Sequence, residues 1–494
     1  MRKILLGTTA VVGLALLAPV ANAQQARPAA RPAAAPAAPP ALPATSVAPT
    51  GTAAALFQTP VGITGAGPHG ADGIPNRPTT PTTSGIIVRL GGFFDFSMGN
   101  VSDDADKGQA RNLPAGTATS QNVLDATGTV IGTVTTPGAA AINSAQGRQR
   151  NDFRTEAEIN LYADGVAANG MRYGAVFELQ MDAMTTPAGT GTGVDYDELY
   201  GFVKGSWGEL RFGQEDSAAN LLQIRRPATL WMGDSDVWDE FTVSSGYIIA
   251  PVGDGNDATK IIYLSPQFFG FDAGVSYAAN RGEGEQTTIA TSTTSFQRDR
   301  LGLENEISAA LRYRGTFGPV GVGASFVGQF ADAASQAANG TPVASKDQNI
   351  TTYAAGLLLR AYGFALGGDY TWGNYRTTPG NGTIAQGIDG SDQWSVGLTY
   401  TIGALSLGGM YSQGTQDNGG TVADRTQTYL GLGVAYVLAP GMTLFANWNQ
   451  VEDENIPTAA PTRAGATLTN FGTAGSPDRT RDITVLAAGV RIAF

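Results

Sequence analysis

From residue 85 onward the chain consists of short runs in which apolar and polar side chains alternate, the period-two signature of a strand whose two faces meet different surroundings. In 88–98, Val88, Leu90, Phe94, Phe96 and Met98 fall on one face and Arg89, Asp95 and Ser97 on the other. In 153–163, Phe153, Ala157, Ile159, Leu161 and Ala163 alternate with Arg154, Glu156, Glu158, Asn160 and Tyr162. In 171–181, Met171, Tyr173, Ala175, Phe177, Leu179 and Met181 alternate with Arg172, Gly174, Glu178 and Gln180. Each of these runs is about ten residues, the length of a tilted strand that crosses a bilayer. Thirteen more follow, less strictly: 198–204 (where the phase is ambiguous), 209–213, 260–264, 271–277, 307–313, 320–326, 353–359, 364–372, 394–400, 405–411, 430–436, 442–448 and 486–494.

The connections carry a second regularity. Links such as 205–208, 265–267, 315–318, 361–363, 402–404 and 439–441 are tight, with Gly or Pro in each. The intervening links, near 99–151, 182–194, 214–258, 279–303, 329–349, 374–391, 413–425 and 451–481, are long and polar. Short and long links in strict alternation suit a sheet with one rim facing the periplasm and the other the exterior. A half-apolar strand in lipid must pair both backbone edges, because lipid offers no hydrogen-bond partner. The expected fold is therefore all-β: a closed transmembrane antiparallel barrel of sixteen strands, with short periplasmic turns and long external loops. Tyr173, Tyr277, Tyr313, Trp394, Tyr400 and Trp448, near run ends, suit the interfacial aromatic girdles.

The segments before the barrel read differently. Arg2 and Lys3, the apolar stretch 4–17 and Ala21-Asn22-Ala23 form a secretory signal, so residues 1–23 are expected to be removed and the mature chain to begin at Gln24. Residues 24–84 are rich first in Ala and Pro, then in Gly, Pro and Thr; they cannot bury a core and are expected to be a disordered periplasmic leader or tether. The barrel is expected over 85–494. Charged residues make up 15% of the chain, well under the roughly 25% usual for soluble globular proteins. The formal net charge of −12, made more negative by signal removal, argues against nucleic acid as a partner.

Three passages resemble the general Gram-negative porin family. Residues 197–213 (Asp-Glu-Leu-Tyr-Gly-Phe-Val-Lys-Gly-Ser-Trp-Gly-Glu-Leu-Arg-Phe-Gly) look like the strand–turn–strand unit before that family's third loop. Residues 261–266 with 269–277 look like the next hairpin, and Val490-Arg491-Ile492-Ala493-Phe494 looks like the C-terminal aromatic signal of outer-membrane barrels. The resemblance implies a homotrimer in the outer-membrane bilayer and a third loop folded into the lumen as a constriction. On this chain that loop is 214–258, carrying the acidic candidates Asp234, Asp236, Asp239 and Glu240, with Arg225 and Arg226 alongside. Basic candidates for the opposing wall are Arg89, Arg154, Arg172 and Arg211. Acids facing arginines across a constriction would set a transverse field that discriminates solutes by charge. The competing reading is solvated loop acids with arginines paired locally inside the lumen.

Little chemistry competes with a channel. There is no cysteine, so no disulfide, thiolate site or Cys nucleophile. The single histidine, His69, lies in the leader, which excludes a Ser–His pair on the barrel. Asp254-Gly255-Asn256-Asp257 and Glu452-Asp453-Glu454-Asn455 lack calcium-loop spacing, and no metal or cofactor is expected. The expected function is a water-filled outer-membrane channel for passive diffusion of small hydrophilic solutes and ions. The acid excess leans it toward cations. A barrel acting through its loops or tether as an adhesin or structural anchor is the alternative.

Overall fold

The computed structural model describes residues 86–104, 119–124, 130–136, 149–181, 195–233, 241–242, 249, 252, 258–280, 303–333, 349–375, 390–417, 423–456 and 480–494. The expected signal peptide and leader lie outside these residues. The strands are β1 (Ile87–Asp103), β2 (Thr119–Leu124), β3 (Val130–Thr136), β4 (Asn151–Val166), β5 (Arg172–Gln180), β6 (Asp195–Gly205), β7 (Gly208–Gln214), β8 (Thr259–Leu264) and β9 (Phe271–Asn280). They continue as β10 (Glu304–Phe317), β11 (Val320–Asp332), β12 (Ile350–Ala361), β13 (Phe364–Asn374), β14 (Ser391–Ile402), β15 (Leu405–Gln416), β16 (Arg425–Ala439), β17 (Met442–Glu454) and β18 (Thr480–Ala493). One short helix, α1 (Ala218–Leu222), lies between β7 and β8.

Strands β1 and β4 to β18 form one closed antiparallel barrel in which each strand pairs with its sequence neighbours and β1 closes on β18. Sixteen strands were expected, and each expected run falls on one of them. Three short elements carry no alternation strong enough to announce them. The first long link contains the separate hairpin β2–β3, and the third contains α1. None of the described helices is long and apolar enough to cross a membrane.

The alternation resolves into an outside and an inside. Val88, Leu90, Phe94, Phe96 and Met98 of β1 are exposed, while Asp95, Ser97, Val101 and Asp103 are buried toward the interior. The same holds around the ring, with Leu311, Phe326, Leu357, Leu366, Leu398, Leu432 and Leu486 exposed. The predicted girdle residues are on this outer side; Phe364 and Tyr400 stack at 4.3 Å and Trp394 meets Tyr411 at 5.3 Å across neighbouring strands. An exterior this apolar is stable only against another apolar phase.

The tight links follow ordinary hairpin rules. Between β12 and β13, Tyr362 (φ 53°) and Gly363 (φ 83°) both take positive φ, as a two-residue turn matched to strand twist requires. The closing seam is held at two levels. Arg491 makes a two-pronged ion pair with Asp95 (2.6 and 2.9 Å), and Arg481 does so with Asp103 (2.6 and 2.8 Å). The Phe494 N–H donates to Gly92 O and the Gly92 N–H to Phe494 O, at 3.0 and 3.1 Å. Arg425 and Asp453 repeat the motif on β16 and β17, and Asp453 is the register partner of Arg481. Charges thus alternate in sign across four strands through the seam.

Candidate functional site: the barrel interior

The third long link folds against the inner wall. Ser217 caps α1 by accepting from Asn220 N–H, and Ala218, Ala219, Leu221 and Leu222 pack on Ile262, Leu264, Ala310, Val327 and Ala354 of the wall. The free amides of the first helical turn are met by wall hydroxyls: Ala218 N–H donates to Ser276 Oγ and Ala219 N–H to Ser308 Oγ, both at 3.1 Å. The chain then crosses strand after strand. Ile224 N–H donates to Ser325 Oγ (2.6 Å), and Arg226 N–H to Asp369 Oδ1 (2.9 Å). Gly233 N–H donates to the Tyr429 hydroxyl, and Asn447 Nδ2 to Leu230 O, both at 2.9 Å. Phe241 lies against Gly99 of β1. The return path shows at Ile249, whose N–H donates to Gln427 Oε1, and at Val252, which donates to Gln223 Oε1. The described stretch 217–233 is an inner strap reaching from β8 round to the seam.

The strap lies close because the wall has glycines beneath it. A Cβ on Gly356 would stand 1.7 Å from Ile224 O; on Gly397, 2.2 Å from Pro227 O; on Gly433, 2.0 Å from Thr229 Oγ1. All three point inward on their strands, where alternation would otherwise put a polar side chain. Arg226 is buried on the wall side, its Nη1 at 3.1 Å from Asp369 Oδ2 and its Nε near the Met410 sulfur. Asp216, Asn220, Gln223 and Arg225 keep partial exposure.

The other part of the wall, β4 to β7, is charged. Glu158 and Glu178 are buried, and both accept from Asn160 Nδ2 at 2.9 Å. Carboxylate oxygens of Glu158, Glu178 and Asp197 all lie within 4.8 Å of one another, a spacing at which oxygens can share a hard cation. Asp197 joins them through a β-bulge. Phe177 pairs with Leu199 but Leu179 with Tyr196, so β6 sets two residues, Asp197 and Glu198, opposite Glu178 alone. Beyond the bulge the run 198–204 keeps one phase, and its ambiguity in the sequence arises because Tyr200 and Phe202 are buried on the inner face opposite an outer Leu199 and Val203.

The predicted basic residues all belong to strands β1, β4, β5 and β7. Arg89 is ion-paired with Asp164, its guanidinium 5.3 Å from the Tyr162 ring centroid. Arg154 is 3.5 Å from Glu156. Arg211 is buried between Glu209 and Glu215, each at 2.9 Å, and lies over the Tyr200 ring. Arg172 is half-buried at the start of β5 and makes no ion pair among the described residues. The acidic candidates Asp234, Asp236, Asp239 and Glu240 lie outside the described residues. Reading the sequence missed the carboxylate group on β4–β6 and the wall anchors of the strap. The inward glycines were the available signal for the anchors, since they interrupt the polar phase at Gly356, Gly397 and Gly433.

A closed barrel, apolar without, polar within and crossed by an inner strap, is the geometry on which the family comparison bears. The sequence profile of the Gram-negative porins matches residues 8–456. The chain belongs to the Gram-negative porin family. Solved structures similar to this porin include a loop-deleted OmpT of Vibrio cholerae (13% identity, 83% of this chain and 100% of that one, TM-score 0.47). An anion-selective porin from Comamonas acidovorans shares 16% identity over 83% of this chain and 100% of its own, with a TM-score of 0.46. The outer membrane channel DcaP of Acinetobacter baumannii shares 11% identity over 84% and 99%, with a TM-score of 0.47. No curated protein sequence matches the chain. Family and fold together make this an outer-membrane channel protein.

Proposed function

We propose that this porin is an open, water-filled channel through which small hydrophilic solutes and ions cross the outer membrane by passive diffusion, without enzymatic chemistry. The observation that supports it most is the closed ring with lipid-compatible residues outside and charged and hydroxyl side chains inside. A wall of that polarity is what water and dissolved ions wet. In this reading the strap narrows the channel, with Asp234, Asp236, Asp239 and Glu240 as the acidic side of the constriction and Arg89, Arg154, Arg172 and Arg211 on the wall. The channel prefers cations. Glu158, Glu178 and Asp197 support that preference, because arginines at three of the four predicted basic positions are matched by adjacent carboxylates. The protein works as a homotrimer, its signal peptide is removed, and residues 24–84 remain in the periplasm.

The test is conductance of the purified protein in a planar bilayer with a salt gradient across it. Discrete steps and a reversal potential of cation sign are expected. Neutralising Asp234, Asp236, Asp239 and Glu240 together is expected to shift that potential, and an unshifted potential would remove them from the constriction. A correctly folded barrel with no conductance would overturn the channel reading.

A further inference from the structure

The strap is anchored to the wall by hydrogen bonds along its path, up to Leu230 O and Gly233 N–H, and between these two a hold of another kind is added. Thr229, Leu230, Trp231 and Met232 form a turn closed by Met232 N–H donating to Thr229 O at 3.1 Å. The third position of such a turn, when it takes positive φ, is the place for glycine. Here it is Trp231, at φ 64°. A bulky residue held in the left-handed region costs on the order of 1–3 kcal/mol and persists only where its surroundings over-determine it.

The surroundings are explicit. The Trp231 ring is buried, tilted against Phe445 with centroids 6.2 Å apart. Its Nε1–H finds no hydrogen-bond partner among the described residues, so stacking is what holds it. The guanidinium of Arg491 lies 4.5 Å from the Trp231 ring centroid and 4.1 Å from that of Phe93, enclosed between a strap residue and a β1 residue. That same guanidinium reaches from β18 to Asp95 on β1 with two short hydrogen bonds. One side chain therefore closes the barrel and grips the strap. Arginine suits both tasks, since its planar fork leaves its faces free to stack while its edge pairs with a carboxylate.

We propose that Trp231 is the positioning residue of the constriction: closed over Arg491, it fastens the inner strap to the seam between the first and last strands and thereby fixes the width of the pore. The proposal rests on the channel reading above. It has a consequence for order of assembly. The clamp is complete only when β18 has met β1, so the strap takes its final place after the ring has closed.

The test separates the ring from the turn. Trp231→Gly relieves the backbone strain and keeps the turn, but removes the clamp; Trp231→Phe keeps an aromatic face for the guanidinium. Both leave the two partners of the Arg491–Asp95 pair in place, so both barrels are expected to fold and to keep the heat-dependent gel mobility of a closed barrel. In a planar bilayer, Trp231→Gly is expected to replace a single conductance level with several levels and frequent transitions, and Trp231→Phe to restore the single level. A Trp231→Gly channel with the conductance, noise and reversal potential of the unsubstituted protein would overturn the proposal. So would a Phe variant as disturbed as the Gly variant. Failure of the channel reading itself would show differently, as silence of the unsubstituted protein in the same bilayer.

Discussion

The inner face of β9–β17, where the strap lies, presents Ser276, Ser308, Ser325, Gly356, Gly397 and Gly433, whereas the inner face of β4–β7 presents Glu158, Glu178, Glu198 and Arg211, joined by Asp197 through a bulge. The two faces sit on the same kind of strand with the same period. They differ in what they must touch. A wall that seats a polypeptide has to leave room for its backbone and offer hydroxyls to its amides. The β4–β6 wall instead keeps long side chains that bridge to one another, as Asn160 does between Glu158 and Glu178. Side-chain volume on the inner phase thus tells where this wall is lined by protein; charge alone does not, since Asp272 with Arg312 and Arg425 with Asp453 lie buried on the strap's own strands.

The largest expected effect is at Asp369, a carboxylate that the seating wall gives to the strap. Asp369→Ala leaves the Arg226 guanidinium buried without its ion pair, and a buried pair that loses one partner costs about 3–5 kcal/mol. Urea unfolding in detergent is expected to show that loss, and a variant as stable as the original would mean the pair is solvated. Gly356→Ala is the next largest. Its Cβ meets the Ile224 carbonyl at 1.7 Å, so the strap must shift, at about 1–3 kcal/mol. An altered single-channel conductance is expected in a barrel of normal gel mobility; unaltered conductance would show that the strap's distance from the wall does not set the pore. The smallest effect on stability and the clearest on selectivity is Glu178→Gln. It keeps a hydrogen-bonding partner for Asn160 while removing one charge of the carboxylate group. The reversal potential is expected to move toward the anion side, and no movement would place the charge preference elsewhere.

Much of the barrel was legible in the sequence because lipid outside and water inside force strict alternation, and Phe94, Phe96 and Met98 against Asp95 and Ser97 could be read directly. Alternation failed where a different constraint took over. In 198–204 the inner phase carries Tyr200 and Phe202, so both faces read as apolar, and just before it the bulge at Asp197-Glu198 resets the phase. At Gly356 and Gly397 the inner phase is empty because a backbone passes there, and a glycine's absence of side chain carries no label for what fills the space. The anchors Ser276, Ser308 and Asp369 are ordinary inward polar residues in sequence. Only the fold shows that segment 217–233 comes to them from as far away as 143 residues along the chain.

The seam also bears on how the protein is made. The residues that meet across it, Asp95 and Arg491, are 396 positions apart. Until β18 has been synthesised, one edge of β1 has no partner from the barrel, and an unpaired edge is a template for other chains. The interval between translation of the first strand and arrival of the last is therefore a hazard written into the topology. A cell exporting this protein has to keep the chain from pairing with anything else for that whole time.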